Sequence, residues 1–75
     1  RKYGPTGRHL RRIVTEMVRP LNYDSLLDVG CGQGSLLATL MPLKPQASYS
    51  GLDFSAKAID VARRRAPTAE FGLLD

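Results

Sequence analysis

The chain has 75 residues, a formal net charge of +4 and a sequence pI of about 9.7. That length excludes more than one small domain, and small domains bury a low fraction of their surface. One Cys excludes an internal disulfide and gives no metal framework; with no signal peptide, long apolar run or lipidation motif, the expectation is a reducing, cytoplasmic setting and no membrane partner.

Arg1 to Pro5 is basic and contains Gly-Pro, which predicts irregular backbone. Thr6 can cap a helix that reaches about Arg19 and is stopped by Pro20. Leu10, Ile13, Val14, Met17 and Val18 fall on one apolar face at helical spacing, while Arg8, Arg11, Arg12, Thr15, Glu16 and Arg19 take the other side. The pattern predicts a surface helix packed on a sheet. Leu21 to Ser25 is a turn-rich connection.

Leu26 to Val29 is a short apolar run that reads as a buried strand ending at Gly30. Gly30, Gly32 and Gly34 alternate with Cys31 and Gln33, and helix-forming residues run from Gly34 to Met41 before Pro42. Strand, glycine turn and helix together open a nucleotide-binding β-α-β unit. Pro42 to Pro45 is the return loop, with Lys44 and Gln46 expected in solvent. Ser48 to Asp53 reads as the second strand, and Gly51 marks a close backbone approach or a weakened strand.

Ser55 opens a second crossover helix, Ala56 to about Ala66, whose stripe of Ala58, Ile59, Ala62 and Ala66 suits close packing on the sheet. Arg63, Arg64 and Arg65 fill its last turn. They complement the helix dipole, although such a triplet also looks like a nucleic-acid patch. Pro67 stops the helix, and Thr68 to Leu74 is the third strand, with Asp75 at its end. The order is thus α-β-α-β-α-β, an α/β class. Residues 1–20 and 26–75 form one partial domain, an incomplete Rossmann-like parallel sheet with flanking helices. Parallel sheets need cover on both faces, and three strands can begin one but not finish it. The chain therefore reads as part of a longer protein, with unfinished sheet edges open to self-association.

Charge indicates the nucleotide. A dinucleotide site favours Gly-x-Gly-x-x-Gly, but here the third glycine would fall on Ser35. Asp28 also lies two residues before the first glycine, where it would repel a pyrophosphate and attract an ammonium group. S-adenosylmethionine, a nucleoside joined to a cationic amino acid, fits better.

Asp28-Val29-Gly30-Cys31-Gly32-Gln33-Gly34 resembles the first motif of the class I S-adenosylmethionine-dependent methyltransferases, acidic-x-Gly-x-Gly-x-Gly, at every fixed position. The resemblance, strengthened by Asp53, extends from about Leu26 to the end of the chain. It implies that Gly30, Cys31, Gly32 and Gly34 floor the methionine portion and that Asp28 meets the ammonium. Asp53 would accept the ribose hydroxyls, and Phe54, Leu74 and Asp75 would hold the adenine. It also implies that the first helix borders the pocket, within reach of Tyr3, Arg8 or His9, and that acceptor-binding groups lie beyond the third strand.

Each residue has a plainer role. Asp53 can cap the next helix, a task for which Ser55 competes. Phe54 can pack in a core, Asp75 can be a loop aspartate, and His9 can be solvated. Cys31 invites a nucleophilic role, but methyl transfer needs no nucleophile and a small thiol suits a tight turn. Two other functions compete with a methyltransferase that acts on a small-molecule acceptor: an NAD- or FAD-dependent oxidoreductase, and a non-enzymatic basic module docking on nucleic acid or another acidic partner.

Overall fold

The computed structural model describes residues 7–74, with side chains from residue 12 onward. The elements follow the order α1 (Gly7–Val18), β1 (Ser25–Val29), α2 (Ser35–Leu40), β2 (Ser48–Asp53), α3 (Ala56–Arg65) and β3 (Glu70–Leu73). The strands form one parallel sheet in the order β1-β2-β3. The architecture is the α/β arrangement that the alternation of strand and helix patterns implies.

Register assigns the side chains to two faces. Leu27 pairs with Ser50 and Val29 with Leu52, which in turn pairs with Gly72, so these five share one face. Leu26, Asp28, Tyr49, Gly51, Asp53 and Phe71 share the other. The second face carries the core. Leu37 and Leu40 of α2 are fully buried and pack with Tyr49, while Ile59, Ala62 and Ala66 bury the small-residue stripe of α3. Each buried Leu is worth about 1.5–3 kcal/mol of transfer free energy. Small side chains set the spacing, for a Cβ on Gly34 would lie 3.0 Å from the Ala62 Cβ.

The first face is bare, which corrects the expectation that Leu26 to Val29 is a buried strand. Leu27 is 56% and Val29 64% exposed. An apolar run shows that a strand suits burial on both sides, but α2 and α3 cover only one. Helix α1 departs from expectation in a second way. It packs on α2 rather than on the sheet, and Thr15, assigned above to its polar side, is buried at 7% exposure. Val18 packs against the core, whereas Met17 is 68% exposed. The helix is rolled so that Thr15 and Val18 turn inward while Ile13 and Met17 are exposed. Among the described residues, no helix is long and apolar enough to cross a membrane.

A tyrosine pair closes the end of the sheet where the strands begin. The Tyr49 hydroxyl donates to the Lys44 carbonyl at 2.9 Å and lies 3.0 Å from the Tyr23 hydroxyl. Since Tyr49 has one proton, Tyr23 is the donor between them. Burial pushes the Tyr49 hydroxyl well above its ordinary range, and Tyr23 adds to the shift. Lys44, expected in solvent, sits 5.6 Å from the centre of the Tyr23 ring.

Candidate functional site

The candidate site lies at the opposite end, where β1 and β2 finish. The three turn glycines all adopt positive φ: Gly30 at 79°, Gly32 at 55° and Gly34 at 80°. Side chains rarely accept this region, so the alternation of glycines follows from backbone geometry. At Gly30 and Gly32 a Cβ would meet nothing within 4 Å. One side of the turn is therefore open.

The turn is tied to the end of β2. Gly30 N–H and Cys31 N–H both donate to the Leu52 carbonyl, at 2.6 and 2.9 Å. Gly32 N–H donates to Asp53 Oδ1 at 3.1 Å, and Gly34 N–H closes back on the Cys31 carbonyl at 3.0 Å. Four amide protons that a phosphate-binding loop would turn outward are thus already engaged. Ser35, at the position of the missing third glycine, accepts a hydrogen bond from Arg65 at 2.7 Å.

Two carboxylates line the same end of the sheet on its covered face. Asp53 accepts from Gly32 N–H through one oxygen and from Ser55 N–H through the other, at 2.9 Å. The capping role goes to Ser55, whose hydroxyl accepts from Ala58 N–H at 3.1 Å. Asp28 is partly buried, and its carboxyl is held above the ordinary carboxylate range by burial first and by the Asp53 charge second. The floor of the site is consequently negative, an arrangement that disfavours an added anion and favours a cation.

Cys31 points under the turn. It is buried, and a Cβ on Gly51 would lie only 2.8 Å from its sulfur. Burial raises its pKa, as do the Asp28 and Asp53 charges, against a smaller lowering from a backbone hydrogen bond. A protonated, packed thiol is a poor nucleophile. Phe54 is 72% exposed beside Asp53, so it is not a core residue here. Leu74 follows β3 and donates its N–H to the Asp53 carbonyl at 2.9 Å. The structure thus brings Asp28, the three glycines, Asp53, Phe54 and Leu74 to one end of the sheet. Asp75 and Tyr3, and the side chains of Arg8 and His9, lie outside the described residues.

Sequence reasoning missed the two contacts that shape the turn, the Leu52 carbonyl and the Asp53 carboxylate. A backbone carbonyl leaves no signal in residue type. The Arg triplet is also more occupied than its composition suggests. Arg65 is bound to Ser35, and Arg63 donates to the Phe71 carbonyl at 3.3 Å. No cluster of metal-ligating side chains occurs among the described residues.

Comparison with known proteins gives a consistent result. A family model described as a methyltransferase domain matches residues 27–74. The methyltransferase ungE' of Aspergillus campestris is 44% identical over 48 residues, covering 64% of this chain and 14% of that protein. The demethylmenaquinone methyltransferase of Thermotoga maritima is 31% identical over 61 residues, covering 81% of this chain and 27% of the relative. Among solved structures, the plantazolicin methyltransferase BpumL, in complex with a pentazolic desmethylPZN analog and SAH, superposes with a TM-score of 0.68. Its identity is 30%, over 88% of this chain and 25% of BpumL. The chain therefore spans well under half the length of these relatives.

Proposed function

The chain belongs to the methyltransferase domain family, and from that premise we propose that it is the cofactor-binding part of an S-adenosylmethionine-dependent methyltransferase. The observation that carries this reading is the polarity of the site. Gly30, Cys31, Gly32 and Gly34 spend their N–H groups inside the protein, while Asp28 and Asp53 stand beside the turn. That set of acceptors fits a ligand with an ammonium group and free hydroxyls, and it fits a pyrophosphate badly. A dinucleotide oxidoreductase loses support on the same ground. The basic-module reading is weakened because Arg63 and Arg65 are bound within the fold.

When bound, S-adenosylmethionine supplies an electrophilic methyl group on a sulfonium, so the protein's work is orientation for in-line transfer. Asp28 would meet the ammonium. The main chain of Gly30, Cys31, Gly32 and Gly34 would lie along the methionine portion. Asp53 would accept from the ribose hydroxyls, and exposed Phe54, with Leu74 and Asp75, would hold the adenine. The acceptor is proposed to be a small molecule, a reading supported by relatives named for demethylmenaquinone and plantazolicin. A cytoplasmic setting belongs to the same proposal and is supported by the one unpaired thiol. The bare apolar face and open strand edges support self-association in solution.

Calorimetric titration of the intact protein tests the reading. S-adenosylmethionine or its demethylated product should bind, and NAD should not. Asp53→Ala should weaken binding by about 1.5–3 kcal/mol, the scale of hydrogen bonds to a charged group. Binding of NAD in preference to S-adenosylmethionine would overturn the proposal.

A further inference from the structure

Three consecutive N–H groups of the turn end on the last two residues of β2, and they differ in kind. Gly30 and Cys31 use the Leu52 main-chain carbonyl, which any residue at position 52 supplies. Gly32 uses a side chain, so its bond depends on what stands at position 53. The other oxygen of that side chain takes the N–H of Ser55, the N-cap of α3. One carboxylate thus clamps the glycine turn on one side and the start of a helix on the other.

We propose that Asp53 is a positioning residue for the glycine turn before any ligand arrives, in addition to the ribose contact assigned to it above, on which the ligand half of this inference rests. Each carboxylate oxygen can accept more than one hydrogen bond. The two internal bonds fix the rotamer of Asp53 and leave acceptor capacity on both oxygens, so the group is shared between turn and ligand rather than handed from one to the other. Gly32 has positive φ and no neighbour within 4 Å of where a Cβ would stand, so packing does not hold it from that side. The charge-assisted bond from Asp53 supplies that restraint. A turn fixed in advance spares the ligand the entropic cost of ordering it.

The test is amide hydrogen exchange, read by NMR on the intact ligand-free protein, for wild type, Asp53→Ala and Asp53→Asn. In Asp53→Ala the Gly32 and Ser55 amides should exchange about tenfold faster or more, with displaced resonances. Gly30 and Cys31 should keep their protection, because their acceptor is Leu52. Asp53→Asn retains one acceptor oxygen, so one of the two amides should stay protected and the other should not. Unchanged Gly32 exchange in Asp53→Ala overturns the proposal. If that variant also exposes Gly30 and Cys31, Asp53→Asn decides: wild-type protection at both Gly32 and Ser55 overturns the proposal, and selective loss at one supports it. Cofactor titration separates the two roles. Lost affinity with Gly32 still protected leaves the ribose contact and removes the positioning role. Lost protection with affinity intact does the reverse.

Discussion

The two faces of this sheet are built from similar residues and meet different fates. On one, Tyr49 and Phe71 lie under the helices, packed against Leu37 and Leu40, and Gly51 is buried beside Phe71. On the other, Leu27, Val29 and Leu52 face no helix of the described chain. Strand propensity is alike on both, so it cannot be what separates them. The difference is supplied by crossover handedness. Successive right-handed β-α-β connections that step in one direction along a sheet lay their helices on the same side. With strand order β1-β2-β3, both crossovers run the same way, and α2 and α3 fall together. Covering the opposite face takes connections that step away from β1 in the other direction, or a separate partner.

The sharpest way to break this comparison is to truncate matched side chains. Leu37→Ala removes a fully buried side chain from the covered side and should cost about 2–5 kcal/mol. Leu27→Ala on the bare side should change stability by only about 0.5 kcal/mol. Both are read from urea unfolding of the same chain. Comparable losses at the two positions would mean that the bare face is covered in solution, by self-association or by further chain. Dilution then distinguishes those two, since only an intermolecular cover weakens with concentration.

The glycines allow the same comparison with an added methyl group. A Cβ at Gly51 would stand 2.8 Å from the Cys31 sulfur and 2.9 Å from two atoms of the Phe71 ring. Gly51→Ala should therefore cost about 1–3 kcal/mol through overpacking. At Gly72, on the bare face, the new methyl meets only the tip of Leu52, at 3.0 Å. That tip can rotate away, and Gly72→Ala should be close to neutral in thermal unfolding. A costly Gly72→Ala would show that Leu52 is pinned by something on that face.

These contrasts also mark how far the sequence could be read. The second strand, Ser48–Asp53, was legible to the residue, because it lies between a proline-marked return loop and the helix start at Ser55. The turn glycines and the small-residue stripe of α3 were legible because positive φ and close packing each admit few residue types. The bare face was not legible as bare, since a run such as Leu-Leu-Asp-Val describes what a strand tolerates and not what covers it. Thr15 was misplaced for a related reason. A wide apolar stripe lets a helix roll, and the roll is set by α2, which the α1 sequence does not specify. Tyr23 read as part of a turn, and its bond to Tyr49 spans 26 positions. In the site, the choice of Asp28 and Asp53 came from chemistry. The engagement of the turn amides with the Leu52 carbonyl depends on how two strand ends meet, which residue type does not encode.

The smallest expected effect is the most informative about why a carboxylate sits on the covered face at all. Burial and the nearby Asp53 raise the Asp28 pKa above its ordinary value of 3.8. A carboxylate raised in this way binds its proton more tightly folded than unfolded, so folding stability falls as pH climbs from the ordinary value through the raised one. Above the raised value the ionised Asp28 is thus a cost to the fold. Asp28→Asn should raise the melting temperature modestly at neutral pH, and the gain should vanish below the ordinary carboxylate pKa, where wild type is protonated too. On the bare face, an exposed polar substitution such as Ser48→Asn has no burial penalty to relieve and should show no such pH-dependent gain. A bound ammonium group reverses the balance at Asp28, because an adjacent cation favours the charged form. The same Asp28→Asn variant should therefore bind S-adenosylmethionine more weakly while folding more stably. Destabilisation at neutral pH would show that Asp28 supports the turn structurally. Stabilisation with unchanged affinity would leave its charge without a ligand to serve.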